Sequence, residues 1–264
     1  MSIFLYASIL VFGTIVGSFL NVVVLRYGTG MSIARGRSQC FSCGKMLHWY
    51  ELVPVASFIF LWGRCSVCKS KISWQYPLVE MFTGLLFLAT FIHVGISVYL
   101  PYYWFVMSLL VAISVYDFKH KIIPDGMAFL FGFVTLIASL FTFFYTGENT
   151  VFDILAGPVL ALPFALLWLV SRGRWIGLGD AKLVIGIGFM LGLAKGVSAV
   201  VLAFWIGAGI SVAIIIIQKS RLLLSSKNLT MKSEIPFGPF LILGTLIVFF
   251  FGLDVMGISA ILGI

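Results

Sequence analysis

Long apolar runs divide the chain at 3–25, 77–95, 102–116, 127–145, 154–171, 181–194, 196–217 and 237–256. A helical bilayer span needs about 20 mostly apolar residues, and most of these runs approach that length. Their apolar positions are continuous and do not alternate in segments of about ten residues, so the pattern is not that of a β-barrel. Eight spans are predicted, and the short run 181–194, read as a tilted or partly buried helix, leaves seven open. The expected fold class is all-α: a polytopic membrane protein with about eight transmembrane helices. The first run is too long, and too poor in N-terminal charge, for a cleaved signal peptide. It is read as a retained span. Gly13 and Gly17 lie four residues apart on it, either as a close-packing face or as spacers tolerated in lipid.

Residues 26–76 break the pattern. The stretch is polar, basic and long enough for a small domain, although Leu52–Trp62 within it is mostly apolar and is expected on the membrane surface or against the helices. The chain thus reads as a first helix (1–25), a loop domain (26–76) and a larger membrane domain (77–264).

Composition agrees and sharpens the picture. Hydrophobic residues make up 61% of the 264, and charged residues only 10%, against about 25% in a soluble domain. A soluble enzyme, a disordered chain and a DNA-binding domain are excluded. The net charge of +8 is instead topological: with eight alternating spans, 16 of the 17 Lys and Arg fall on one side, and only Lys195 on the other. The opposite loops carry Glu148 and Asp153. Cations mark the cytoplasmic side of a bilayer, which puts the 26–76 loop in the cytoplasm and both termini outside. No nucleic-acid partner is expected; the partner of this surface is lipid.

All four cysteines lie in that loop, as Cys40-Phe-Ser-Cys43 and Cys65-Ser-Val-Cys68. Two CxxC turns at this separation can complete a tetrahedral thiolate site for Zn²⁺, close to zinc-ribbon spacing. A loop with little core of its own would gain its fold from such a metal. Gly44 and Lys69, each just after the second cysteine of a pair, suit the turn. His48 is a conceivable alternative ligand, although four thiolates already fill the site, or a surface histidine. The competing chemistry is that of a membrane thiol–disulfide oxidoreductase, which needs cysteines facing an oxidising compartment.

Carboxylates in a bilayer are costly and point to function. Asp117 closes one apolar run, and Asp180, in Gly177-Leu-Gly-Asp180, opens another. Two adjacent carboxylates share a proton, so one can serve as general base on water while the other serves as general acid. The alternative is a pair of interfacial aspartates that cap helices or pair with Lys119 and Lys182. Asp125, after Pro124, is expected to cap a helix. A transporter with aspartates in a proton path would need polar residues deep in several spans, and few are present.

Taken in order, the motifs resemble the type IV prepilin leader peptidases, bifunctional membrane enzymes of bacteria. These motifs are Val16-Gly-Ser-Phe-Leu-Asn-Val-Val-Val24, the two knuckles, Gly63-Arg-Cys65, Tyr76-Pro-Leu-Val-Glu80, Asp117 with Ile123-Pro-Asp125, Gly177-Leu-Gly-Asp-Ala-Lys-Leu183 and Ile235-Pro-Phe-Gly-Pro-Phe240. The resemblance implies a GxGD aspartic endopeptidase of the inner membrane with Asp117 and Asp180 as its catalytic pair. It would remove the leader of prepilins or pseudopilins on the cytoplasmic side. It also implies N-methylation of the new terminus with S-adenosyl-L-methionine, associated with the cytoplasmic loop and with Gly63. Glu80 matches a family position without an assigned role. Oligomeric state stays open.

Overall fold

A computed structural model describes residues 3–147, 150–222 and 236–262. Glu148, Lys227, Lys232 and Ile235 lie outside them. Among the described residues the regular structure is helical, with two isolated antiparallel bridges, Gln39–Met46 and Arg64–Lys71. The helices are α1 (Ile3–Arg26), α2 (Ala56–Phe60), α3 (Gln75–Val94), α4 (Leu100–His120), α5 (Asp125–Phe141), α6 (Val151–Ser171), α7 (Leu178–Leu222), α8 (Gly238–Phe251) and α9 (Ile258–Leu262). Six are long and apolar enough to cross a bilayer: α1, α3, α4, α5 with its π-turn to Thr146, α6 and α7. At 14 residues α8 is shorter.

Helix α7 covers 45 residues but breaks at Gly192, whose φ of 76° and ψ of −178° leave the helical region. The break falls inside the short run 181–194, so one element here covers two of the runs read from the sequence. The Leu193 N–H freed by the break donates to Asp153 Oδ1 at 3.3 Å. The other oxygen, Oδ2, accepts from the N–H and Oγ1 of Thr150, both at 2.9 Å, where α6 begins. One acid in the first turn of α6 therefore satisfies donors at the start of that helix and at the break in α7. Gly192 is needed for this: a Cβ there would collide with Asp153 Oδ1. Asp125 turns out not to be a cap. Pro124 holds that position, and Asp125 is the first helical residue, its carboxylate 2.7 Å from Lys182 Nζ.

The chain divides into two compact units, Met1–Val115 and Tyr116–Ile264. In the first, α1 packs along α3. Gly13 and Gly17 are its close-packing face: an added Cβ would lie 2.8 Å from Gly84 Cα and 2.8 Å from Glu80 Cα respectively. Trp104 stacks on Phe87 at 5.2 Å and donates its indole N–H to the Phe87 carbonyl at 3.1 Å. In the second unit α7 packs against α5, α6 and α8. Lipid tails are as apolar as leucine, so helices in a bilayer associate through close van der Waals approach and small residues. Gly188 shows this plainly, since a Cβ there would sit 2.6 Å from Gly157 N and 2.7 Å from the Ala156 carbonyl.

The apolar stretch Leu52–Trp62 forms the end of a 3₁₀ turn (Trp49–Leu52) and then α2, and it turns Phe60 and Trp62 outward.

Because Gly188 meets rigid backbone and Gly132 faces open space, the two should respond oppositely to a side chain. Gly188→Val should lower stability by about 1–3 kcal/mol through overpacking. Gly132→Ala should leave it unchanged or raise it by up to ~1 kcal/mol through helix propensity. Thermal melting of the purified variants in one detergent checks both.

Candidate active site and metal centre

Asp117 sits in the last turn of α4 and is 3% exposed. Its Oδ2 accepts the Gly238 N–H at 3.1 Å. That N–H is the first of α8, one of the donors a helix leaves without an internal partner. Pro236 and Pro239 flank the start of the helix and favour its entry turn. Glycine is required at 238, because a Cβ would stand 2.6 Å from Asp117 Oδ2 and 3.2 Å from Ile123 Cδ1.

Asp180 lies in the first turn of α7, its N–H bonded to the Gly177 carbonyl at 3.2 Å. A Cβ at Gly177 would lie 3.5 Å from Asp180 Oδ2, and one at Gly179 would lie 2.9 Å from Ile123 Cβ. Buried Ile123 is thus the wedge between Gly179 and Gly238, holding the starts of α7 and α8 at fixed spacing beside the end of α4. The charge of Asp117 acts on Asp180, so the two carboxylates, 63 positions apart in sequence, share one electrostatic site. Among the described residues neither takes part in a salt bridge. Lys182, a candidate partner from the sequence, is engaged by Asp125, with its ammonium 5.2 Å from the Phe129 ring centre.

The two knuckles have the same wiring. Cys40 N–H donates to Lys45 O and Gly44 N–H to Cys40 O, both at 2.9 Å; Cys65 N–H donates to Ser70 O at 2.9 Å and Lys69 N–H to Cys65 O at 3.1 Å. The residue after each second cysteine is left-handed: Gly44 at φ 69° and Lys69 at φ 58°. The four cysteines each offer a sulfur, and all four lie within 4.8 Å of one another, with Cys40 and Cys68 Sγ 3.8 Å apart. Sulfurs about 2.3 Å from a tetrahedral zinc would be roughly 3.8 Å apart, so this donor set fits a soft tetrahedral metal. Backbone N–H groups of Cys43 and Ser42 bring the Cys40 thiol down to about 6. The Ser70 hydroxyl, 3.1 Å from Cys68 Sγ, lowers that thiol as well. His48 stands apart, stacked on Tyr50 at 5.4 Å.

Two further residues matter in the loop. Glu51, its only acid, is buried where it gathers Lys45 Nζ at 2.8 Å, the Ser66 hydroxyl and the His48 N–H at 2.9 Å. The His48 backbone donor, followed by Lys45 and Ser66, holds its carboxyl at about 2. Ser66 neighbours Cys65, so this acid ties the two knuckles together. Sequence reasoning passed over it, although a lone acid in a basic loop was a usable signal. Gly63, left-handed at φ 63°, receives the Phe58 ring: an added Cβ would be 2.9 Å from Phe58 Cζ.

Two family models match the chain. "Bacterial Peptidase A24 N-terminal domain" covers residues 11–94 and "Type IV leader peptidase family" covers residues 104–212. A Myxococcus xanthus protein named prepilin leader peptidase/N-methyltransferase is 38% identical over 186 residues, spanning 69% of this chain and 54% of its own length. A Bacillus subtilis protein of the same name is 30% identical over 246 residues, 92% of each chain. One from Pseudomonas aeruginosa is 29% identical over 253 residues, covering 87% of this chain and 84% of its own. No solved structure matches.

Proposed function

The chain belongs to the type IV leader peptidase family, and from that premise we propose that it is an aspartic endopeptidase of the bacterial inner membrane that removes the leader of type IV prepilins or pseudopilins and methylates the new N-terminal amine. The observation that carries the protease reading is the convergence of Asp117 and Asp180 at the ends of two membrane helices, with neither carboxylate in a salt bridge among the described residues.

Two carboxylates in such a setting hold one proton between them and titrate as a unit. The ionised one takes a proton from water as the water oxygen bonds to the scissile carbonyl carbon. The protonated one supplies a proton to the departing amine as the carbon–nitrogen bond breaks. Gly177 puts no side chain beside the Asp180 carboxylate, where a Cβ would stand 3.5 Å from Oδ2, and leaves room for an extended substrate backbone. A prepilin joins a charged leader to an apolar helix. With the helix in lipid and the leader in water, the scissile bond lies at the membrane edge, where α4 ends and α7 begins. The excess of Lys and Arg in the loops at this edge argues for the cytoplasmic side.

Cys40, Cys43, Cys65 and Cys68 would hold Zn²⁺, which supplies a structural cross-link to a loop without a core. S-adenosylmethionine supplies a methyl on a cationic sulfur; the amine nitrogen takes the methyl and releases a proton, while the electrons of the broken bond remain on sulfur. The names of the relatives support this second activity.

Asp117→Asn and Asp180→Asn should each slow leader cleavage by at least ~10²–10⁴-fold while membrane insertion is unchanged. Gel-shift cleavage of a purified prepilin measures this, and full cleavage by both variants would contradict the pair. Metal analysis should find one zinc per chain, and Cys65→Ser should abolish it and expose residues 26–76 to limited proteolysis. Metal-free native protein with its cysteines in disulfides would contradict the zinc assignment.

A further inference from the structure

The short helix α2 is held against the start of α3 at two points. The N–H of Val55, which precedes α2, donates to Glu80 Oε2 at 2.7 Å. The Phe58 ring meets Trp74, the residue before α3, at 4.8 Å between ring centres. On this inner side Phe58 lines a cavity of about 680 Å³ with Glu80, Arg35, Arg37 and Asn21, whose Oδ1 is buried without a partner. Because α3 is a bilayer span, both attachments put α2 at the level where that span meets the membrane surface.

The outer side of α2 is apolar and uncovered. Phe60 is 82% exposed, Trp62 88% and Trp74 69%, and Ile59 is exposed beside them. Trp62 also sits at φ 53°. It ends α2 in the left-handed position that glycine commonly takes, with its N–H on Ile59 O at 3.0 Å and the Gly63 N–H on Phe58 O at 2.9 Å. That conformation is costly for a bulky side chain. In water, an exposed indole held there returns nothing for the cost. In the interfacial layer of a bilayer it does, because the ring body enters the acyl boundary while its N–H stays wet.

Two cations stand next to these rings. Arg64 and Lys71 oppose each other in an isolated antiparallel bridge. The bonds on either side run from Cys65 N–H to Ser70 O and from Ile72 N–H to Gly63 O, so the two occupy the closer, non-hydrogen-bonded type of pair. Like charges placed directly opposite destabilise such a pairing. Both side chains are exposed, and neither takes part in a salt bridge among the described residues. An anion shared by the two would relieve the repulsion.

We infer that α2 and the stem after it form a site for anionic phospholipid: Phe60, Trp62 and Trp74 enter the interfacial layer, and Arg64 and Lys71 share a lipid phosphate. Rings beside paired cations match the two ends of such a lipid, an acyl chain and an anionic headgroup. Continuity with α3 favours the bilayer over a protein partner, since the lipid around that span is already adjacent. The cysteine loop is thereby tied to the membrane from its outer side as well as through Glu80. The inference is independent of either enzymatic activity.

The test is photocrosslinking of full-length protein in nanodiscs of phosphatidylcholine and phosphatidylglycerol, with a prepilin present. Trp62→p-benzoylphenylalanine and, separately, Phe60→p-benzoylphenylalanine place the probe, and a melting temperature equal to that of native protein confirms the fold of each. Mass spectrometry of the labelled peptide should show phospholipid adducts, with phosphatidylglycerol enriched about tenfold over its share of the lipid. Adding Arg64→Gln and Lys71→Gln should keep the adducts and remove the enrichment. Crosslinks to prepilin or to a second copy of the chain in place of lipid, or no lipid adduct at either position, would overturn the membrane site. Lipid adducts without enrichment while both cations are present would overturn the shared phosphate.

Discussion

A carboxylate out of reach of bulk water needs a donor supplied by the protein, and the structure provides it in both units as a backbone amide. Gly238 donates to Asp117, and Val55 donates to Glu80. A buried acid without such a donor is strongly disfavoured. Bringing a main-chain N–H so close constrains everything around it. At Asp117 the constraint is a glycine with no space for a Cβ; at Glu80 it is a left-handed valine and the close approach of Gly17 on α1 to the Glu80 backbone. Gly17, Gly192 and Gly238 are in this sense consequences of where three of its few acids lie.

The two acids have different surroundings, which supports different chemistry. Asp117 has a second carboxylate as neighbour, an arrangement suited to moving protons onto and off water. Among the described residues Glu80 has no acidic partner; it lines a cavity with an unpaired amide oxygen and a basic, partly aromatic far wall. The cysteine loop supplies that wall without a hydrophobic core of its own. Its shape comes from two equivalent knuckles and from Glu51, which joins them through Lys45 and Ser66. On this view the four-cysteine cluster does no chemistry on the substrate. It keeps one wall of the cavity in place.

Much of this was legible in the sequence, and the reasons are physical. Continuous apolar runs mark lipid-facing helices, so the elements were readable; even the interruption near residue 192 had its counterpart in the short run 181–194. Cysteine pairs encode a local turn, so the four-sulfur cluster could be read from spacing. Long-range pairings could not. Nothing in local pattern places Gly238 on Asp117 across 121 positions, or Glu80 on Val55 across 25. Asp125 was misread as a cap because Pro124 takes that position and Lys182 takes its carboxylate. Glu51 was passed over because its value lies in three partners from separate parts of the loop.

The most direct measurement weighs the product. Purified protein in lipid is incubated with a prepilin substrate, with and without S-adenosylmethionine, and the substrate is analysed by intact mass spectrometry. The expected product lacks the leader in both samples and carries one additional methyl at its new N-terminus only when the donor is present. Intact prepilin in both samples, from protein that retains its fold, would contradict the assignment of this chain as a leader-cleaving enzyme.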